Sequence, residues 1–238
     1  MTTVDTAVDT APEAAPPKGA KETKGLTGAK RPGRPSGGAG GAGQRERLIV
    51  AALALFARQG ILDTTLAAIA REAGVTPAMV HYYFKTRDQL IDVLIDERFV
   101  PLRTALGGSF EQHPDDPLAA LTELTRRFVE VGQAHPWFAP LWVREVISEG
   151  GLLRQRMHER FGHDNQRAAH AAIERWQREG KLNADLEPSL LFQSLLGLTL
   201  LPLATAPVWR NAPVPHRIGA EEIARHAVAL ITRGIRPA

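Results

Sequence analysis

The 238-residue chain contains no cysteine, so disulfide bonds, thiolate metal sites and cysteine nucleophiles are excluded. Its eight histidines lack the H-x-x-x-H and H-E-x-x-H spacings of zinc sites, and we predict no metal site. The G-x-S-x-G, Walker and dinucleotide-binding motifs are also missing, so we predict no catalytic residue, no cofactor and no enzymatic activity. The first twenty residues contain no apolar run, which favours a cytoplasmic protein over a secreted one.

Charge is nearly balanced overall but unevenly distributed. The formal net charge is +3, and residues 104–238 carry fifteen basic and fifteen acidic side chains. The positive excess therefore lies in residues 1–103, and a concentration of positive charge in one region is typical of proteins that bind nucleic acids.

Residues 1–43 are rich in Ala, Gly, Pro, Thr and Lys and contain almost no large apolar side chain. Such a segment cannot bury enough surface to offset the entropy of ordering, so we predict a disordered basic tail. Within it, K-R-P-G-R-P at 30–35 resembles the core of an AT-hook, which inserts arginine into a narrow minor groove. Arg31 and Arg34 are therefore candidate DNA contacts. A solvated basic linker is the alternative.

Two short helices joined by a tight turn are predicted between residues 65 and 84. Thr65 is a capping residue at the start of the first helix, and Gly74 suits the left-handed conformation that ends it. Thr76 and Pro77 then begin the second helix, with proline at the first helical position, where a missing N–H costs nothing. This arrangement is a helix-turn-helix, whose second helix enters the DNA major groove.

The second helix and its ends combine small, aromatic and basic side chains, with no acid among residues 76–87. The candidate DNA-binding residues are Thr65, Thr76, Pro77, Ala78, Met79, His81, Tyr82, Tyr83, Lys85 and Arg87. We expect Thr76, Ala78 and Met79 to lie nearest the bases, and Tyr83 and Lys85 to contact phosphates. The alternative is an ordinary corner of a helical bundle, but such a corner would usually mix Glu with Lys.

The stretch from Leu48 to Leu90 resembles the TetR family of ligand-responsive transcriptional regulators. The matching segments are I-V-A-A-L-A-L-F (49–56), Gly60, T-T-L-A-A-I-A (64–70), A-G-V-T-P (73–77), Y-Y-F-K (82–85) and R-D-Q-L (87–90). The resemblance implies an N-terminal DNA-binding domain over 44–103, and a C-terminal ligand-binding and dimerisation domain over 104–238. It also implies a homodimer that binds a double-stranded DNA operator and a small-molecule effector.

The fold class predicted from the sequence is all-α, with about nine helices, because no run alternates between apolar and polar residues. A helix from Arg87 should be kinked or ended by Pro101. One long helix is expected over 152–179, loosened at Gly162. The last two helices, at about 188–206 and 219–234, should form the dimer interface, the second through a face that carries Ile223, Ala227, Leu230 and Ile231.

The stretch from Ser189 to Pro207 is almost continuously apolar and long enough to suggest a membrane span. Polar residues interrupt it, no basic flank lies close to it, and a helix that is apolar all round can also be buried on several sides. In the TetR family that the chain resembles, the last two helices form a four-helix bundle with their mates in a homodimer, so the resemblance implies a dimer interface here and no membrane partner.

Large aromatic or flexible side chains of the C-terminal region are candidates for lining an effector pocket between helices. They are Trp137, Phe138, Trp142, Met157, Phe161, Trp176 and Phe192. For any one of them, ordinary core packing is the alternative. The function that these observations favour is a repressor released from its operator by a small-molecule inducer. The second hypothesis is a small-molecule carrier or helical enzyme with an incidental helix-turn-helix-like corner.

Overall fold

The structure is a computed structural model that describes residues 39–148, 151–162, 164–210 and 218–237, all within the unit formed by residues 37–238. Arg31, Arg34 and the rest of the predicted tail up to residue 38 lie outside the described residues. Among those described, every regular element is helical and no strand occurs, which confirms the predicted all-α class.

The chain forms α-helical segments joined by short turns and by two π-helical turns. In order they are α1 (Ala39–Gln59), α2 (Leu66–Glu72), α3 (Pro77–Tyr83), α4 (Arg87–Leu94), the first π-turn (Ile95–Phe99), α5 (Val100–Leu106), α6 (Ser109–Gln112), α7 (Pro117–Ala134), α8 (Phe138–Trp142), the second π-turn (Val143–Ile147), α9 (Leu152–Phe161), α10 (Asp164–Arg178), α11 (Pro188–Arg210) and α12 (Ala220–Gly234).

Helix α1 begins at Ala39, five residues before Gln44, where the DNA-binding domain was expected to begin. The last five residues of the tail that was predicted to be disordered, 39–43, are therefore helical. A bond from the Tyr83 hydroxyl to the carbonyl of Gly41, 2.8 Å long, holds this first turn. The predicted apolar stripe of α1, which includes Leu48 and Phe56, is fully buried.

The predicted helix-turn-helix is present between Thr65 and Tyr83. The Thr65 hydroxyl accepts the backbone N–H of Ala68 at 3.1 Å and so caps α2. Gly74 has φ +64°, the left-handed conformation that glycine adopts without steric cost. Pro77 is the first residue of α3, as predicted, but the Thr76 hydroxyl makes no capping hydrogen bond. Helix α3 is thus started by the fixed φ of proline.

Helix α4, the first π-turn and α5 run on from one another, and we call this continuous element the rod. Of the two alternatives predicted for Pro101, a helix end is wrong, since α5 continues to Leu106. Proline has no N–H to donate to the carbonyl of Glu97, and that carbonyl instead accepts from Arg98 Nη1 at 3.2 Å. The N–H of Val100 bonds to the carbonyl of Ile95, which is the wider spacing of a π-turn. The helix therefore accommodates Pro101 by switching from α-helical to π-helical hydrogen bonds in the turn that precedes it.

Helix α7 is central to the C-terminal helices and packs against α11 and α12. A Cβ at Gly132 of α7 would lie 2.5 Å from Leu203 Cδ1, so the absence of a side chain allows α11 to approach closely. Helix α8 packs against both α1 and α11, which joins the N-terminal helices to this bundle. The long helix expected over 152–179 is divided into α9 and α10, because Gly162 adopts φ +56°.

Helix α11 contains the one segment in the described parts of the chain, Pro188–Val208, that is long and apolar enough to cross a membrane by length and composition. A helix at the core of a globular bundle meets the same criteria, so this is weak evidence for a span. Here α11 packs against α7, α8, α10 and α12. Its buried side chains include Leu195 and Leu200.

Candidate nucleic-acid interface and effector site

Helix α3 presents an exposed surface that carries no acidic side chain. Thr76, Ala78, His81 and Lys85 are exposed, as are Thr65 and Pro77, and Met79 is half-buried. Tyr82 is 75% exposed, which is unusual for a large aromatic ring. Val80 and Phe84 hold the opposite face of α3 in the core, as their spacing of four predicts. The structure therefore leaves the candidates of α3 exposed, whereas Thr65 lies at the start of α2.

Two candidate DNA-binding residues are turned towards the protein. Tyr83 is half-buried, and its hydroxyl donates to the carbonyl of Gly41. Arg87 is also half-buried, and its Nη1 donates to the carbonyls of Ile61 and Leu62 at 3.2 and 3.0 Å. Both side chains fix the geometry around α3. Their partners are 42 and about 25 residues away in sequence, and no local pattern reveals such pairs.

Lys85 occupies the short connection between α3 and the rod. The Thr86 hydroxyl accepts the N–H of Gln89 at 3.1 Å, as the first residue of a capping box does. The Gln89 side chain accepts the N–H of Lys85 at 2.9 Å, one residue before the position that a capping box uses. This bond fixes the backbone of Lys85, while its side chain stays exposed and available for a phosphate.

Ion pairs fasten α1 to the rod. Arg45 and Glu97 form a two-pronged pair, with Nη1 to Oε2 at 2.8 Å, and Arg98 binds both carboxylate oxygens of Glu46. The hydrogen bond from Arg45 holds the pKa of the Glu97 carboxyl below its usual value. A lowered pKa keeps this carboxylate charged at neutral pH, and the stabilisation is lost only as the pH falls through that lowered value.

The turn between α1 and α2 is held by the second π-turn. Glu145 is 6% exposed, and its Oε1 accepts the backbone N–H of Ile61 at 2.8 Å. The neighbouring Arg144 donates from Nη2 to the carbonyl of Arg58 at 3.2 Å. Gly60 lies between these two contacts with φ +90°, and a Cβ there would lie 3.3 Å from both Arg144 and Glu145. Neither Arg144 nor Glu145 was predicted from the sequence to have this role.

A ladder of ion pairs joins α9 to the rod. Arg156 lies 3.3 Å from Asp88 and 3.0 Å from Asp92, and Arg160 pairs with Asp96. The three acids recur every fourth residue, so they lie on one face of the rod, and the two arginines have the same spacing on α9. The C-terminal helices therefore contact the element that begins beside α3.

The predicted pocket residues do not line one common cavity. Phe138 is buried between Trp137, Trp142 and Phe99, with ring centroids 5.4 to 6.3 Å apart. Trp176 is fully buried, stacks on Phe110 and donates from Nε1 to the carbonyl of Pro114 at 2.7 Å. The remaining predicted residues are half-buried against the core, namely Met157, Phe161 and Phe192. Core packing accounts for most of this set.

Two cavities lie between helices of the described part of the chain. The larger has a volume of about 750 Å³ and lies between α5, α6, α9 and α10, where it is lined by Arg103, Arg160 and Phe161 among others. The smaller, of about 450 Å³, lies between α1, α8 and α11 beside Trp137. Of the seven predicted pocket residues, Phe161 and Trp137 line these cavities. The arginines of the larger cavity were not predicted, since their positions depend on how α5 and α9 pack.

Two family models match the chain over consecutive segments. One, described as bacterial regulatory proteins of the tetR family, matches residues 48–94, from α1 to α4. The other, described as the C-terminal region of YcdC-like proteins, matches residues 102–200. The first match covers the exposed face of α3 and the elements that position it.

Among curated relatives, the regulator SrpR of Pseudomonas putida is 28% identical over 159 residues, which are 64% of this chain and 71% of SrpR. The regulator BetI of Brucella anthropi is 39% identical over 82 residues, 33% of this chain, and the match spans only 41% of BetI. Both are described as helix-turn-helix transcriptional regulators.

Among solved structures, the ketosteroid regulator KstR2 of Mycobacterium tuberculosis has a TM-score of 0.59 and 21% identity, covering 81% of this chain and 95% of that one. FadR of Bacillus subtilis, solved with stearoyl-CoA, has a TM-score of 0.56 and 15% identity, covering 81% and 100%. At these identities the likeness establishes the fold.

Proposed function

The chain belongs to the TetR family of bacterial regulatory proteins, and we propose that it acts as a homodimeric repressor that a small-molecule inducer releases from its operator. That it is a DNA-binding transcriptional regulator follows from its relatives. The observation that carries the proposal is the acid-free, exposed face of α3, held on a two-helix hairpin by buried Val80 and Phe84.

We assign the α3 residues to two kinds of DNA contact. The first residues of α3 and its cap, Thr76, Ala78 and Met79, would face base edges, because recognition helices present their N-terminal end to the major groove. Lys85 and the exposed His81 and Tyr82 would contact the backbone, which sets position without reading sequence. Tyr83 and Arg87 would contribute by holding α3 in place, since their polar groups already have partners in the protein.

The proposed dimer is supported by a stripe of exposed apolar residues on the last two helices. Leu190, Leu201 and Val208 of α11 are 59%, 47% and 69% exposed, and Leu230 of α12 is 49% exposed. On α11 the first two are eleven residues apart, about three helical turns, so they share one face. Contiguous exposed apolar surface of this kind marks an interface, and a twofold axis would place the same stripe on both partners.

Inducer release is supported by the contacts of the rod. Its first residues follow α3 and its remainder is paired with α9, so a shift of the C-terminal helices can be transmitted to the DNA-binding face. A ligand can move this equilibrium only through different affinities for the two states. Ligand and DNA must then weaken each other's binding by the same factor.

The test is binding of the purified full-length protein to the DNA upstream of its own gene, measured at several salt concentrations. The proposal predicts a footprint with two half-sites and an affinity that falls steeply as salt rises. A protein that retained no specific fragment of its promoter region would be a carrier or enzyme with an incidental helical hairpin. FadR is described with stearoyl-CoA bound, so acyl compounds are a first set of inducers to screen.

A further inference from the structure

The larger cavity contains a guanidinium group that has no acidic partner in the described residues. We propose that this cavity binds an amphipathic anion, with Arg103 and Arg160 holding its carboxylate or phosphate head, and that the anion competes with Asp96 for Arg160. This inference rests on the proposed function, because it names the chemical class of the inducer and the contact through which it would act.

Arg103 is half-buried on α5, and its Cζ lies 4.5 Å from the centroid of the Phe161 ring. It pairs with no carboxylate in the parts of the chain that the structure describes. A guanidinium carries five N–H donors, and a ring face satisfies its charge without accepting those hydrogen bonds. Arg103 is therefore fixed in direction by Phe161 and still able to form a two-pronged bond with an anionic head group.

Arg160 lines the same cavity from α9, one residue before Phe161. Glu111 is the one carboxylate among the lining residues, and its side chain is exposed to solvent. Arg160 is also paired with Asp96, so Arg103 is the guanidinium group of the lining without a carboxylate partner in the described residues, and it is this group that favours an anion. Val100 and Phe161 provide the apolar part of the lining, which would contact the body of the ligand.

The volume of about 750 Å³ lies within the usual range for small-molecule sites, roughly 300 to 1,000 Å³. The cavity is also connected to the rod by a specific contact. Arg160 is the last rung of the ion-pair ladder, because it pairs with Asp96 in the first π-turn. An anion that engages Arg160 would compete with Asp96 for the same donors, and α9 would lose one of its attachments to the rod.

The binding test uses octanoate, octyl phosphate and octanol as probes, titrated into the full-length protein by calorimetry. These probes share one tail, so the comparison isolates the head group and separates a carboxylate from a phosphate ligand. We expect octanoate or octyl phosphate to bind at least about tenfold more tightly than octanol, because only the anions form charge-assisted hydrogen bonds with the guanidinium groups. Equal affinity for octanol, or no binding of either anion up to its solubility limit, would overturn the proposal.

Variants then locate the site. Arg103→Gln and Arg160→Gln should each weaken binding of the anionic probe by about tenfold, whereas Arg103→Lys should keep most of it. Arg126→Gln on α7 is the matched control, because Arg126 is exposed, lies outside the cavity lining and loses the same charge. Circular dichroism confirms that each variant is folded. If Arg103→Gln and the control had the same affinity as the unaltered protein, the anion would bind elsewhere.

Asp96→Asn tests the competition. Removing the carboxylate frees Arg160, so affinity for the anionic probe should rise by up to about fivefold, the size of a surface ion pair. Unchanged or weaker binding would refute the competition with Asp96.

The outcome for DNA separates this inference from the proposed function. A protein that bound its promoter region but no anionic probe would remain a regulator with a different inducer. A protein that bound the probe at Arg103 but no DNA would lose the proposed function and keep the site.

Discussion

Among the described residues, Glu145 is the charged residue whose side chain is buried. Its carboxylate oxygen accepts a hydrogen bond from the backbone N–H of Ile61, in the turn between α1 and α2. The N–H of Ile61 follows the left-handed Gly60 and has no helical partner at that position. A buried N–H without an acceptor is costly, so this single carboxylate fixes the α1–α2 turn against the second π-turn.

We predict that Glu145→Ala lowers the free energy of unfolding by about 1 to 3 kcal/mol, because the Ile61 N–H loses its acceptor. Glu145→Gln should lose clearly less, since the amide oxygen occupies the same place and can still accept. Urea denaturation followed by circular dichroism measures both. Equal losses for the two variants would mean that the charge, and not the acceptor, holds the turn.

Lys85 provides a residue-scale test of the DNA interface. Lys85→Ala should weaken binding to all DNA sequences alike and reduce the slope of log affinity against log salt by about one, because one phosphate contact is removed. Filter binding at four salt concentrations gives the slope, with Arg126→Ala as a charge-matched control remote from α3. A change in operator preference with the slope intact would instead assign Lys85 to the bases.

At the scale of helices, the ladder between α9 and the rod is made of partly exposed pairs, so it contributes little to stability and is sensitive to salt. A double-mutant cycle of Asp92→Asn and Arg156→Gln should give a coupling of about 0.2 to 1 kcal/mol at low salt. The screening length at about 1 M salt is roughly 3 Å, similar to the separation of these charges, so the coupling should fall clearly there. Additive effects at low salt would show that α9 is not attached to the rod through these residues.

The helix ends that were predicted from the sequence are those whose signals come from neighbouring residues. The Thr65 cap, the Gly74 turn and the Pro77 start depend on residues within one turn of each other, and the structure shows all three. The helix does not end at Pro101, one of the two predicted alternatives, and sequence alone does not show that a π-turn accommodates the proline.

Contacts between distant helices were not predictable from the sequence. Glu145 and Ile61 are 84 residues apart, and Arg156 and Asp92 are 64 apart. Trp176 was predicted to line the pocket because it is a large aromatic residue, yet its ring is fully buried. Helical spacing likewise grouped Leu230 with Ile231, but Leu230 is 49% exposed and Ile231 is 6% exposed. Periodicity identifies an apolar face and does not tell whether the chain's own core or a second chain covers it.

At the scale of the whole molecule, the different exposure of Leu230 and Ile231 decides how the proposed dimer should be tested. Ile231→Glu would disrupt the protomer's core, so Leu201→Glu with Leu230→Glu is the informative change. We predict a folded monomer by light scattering and a loss of operator binding, because two half-sites would no longer be read together. Val50→Glu places the same charge on an exposed apolar residue of α1 and should leave the oligomeric state unchanged. A double variant that kept the mass of the unaltered protein would move the interface off α11 and α12.

The length of the rod determines how far a small tilt displaces its ends. From Arg87 to Leu106 it is a lever arm of roughly 30 Å, taking the rise of 1.5 Å per helical residue. A tilt of about 5° at the cavity end would therefore swing the other end, beside α3, through roughly 2.5 Å. Hydrogen bonds to DNA span only about 2.7 to 3.2 Å between heavy atoms, so an angular change too small to alter the packing of the C-terminal helices is enough to take α3 out of register with the groove.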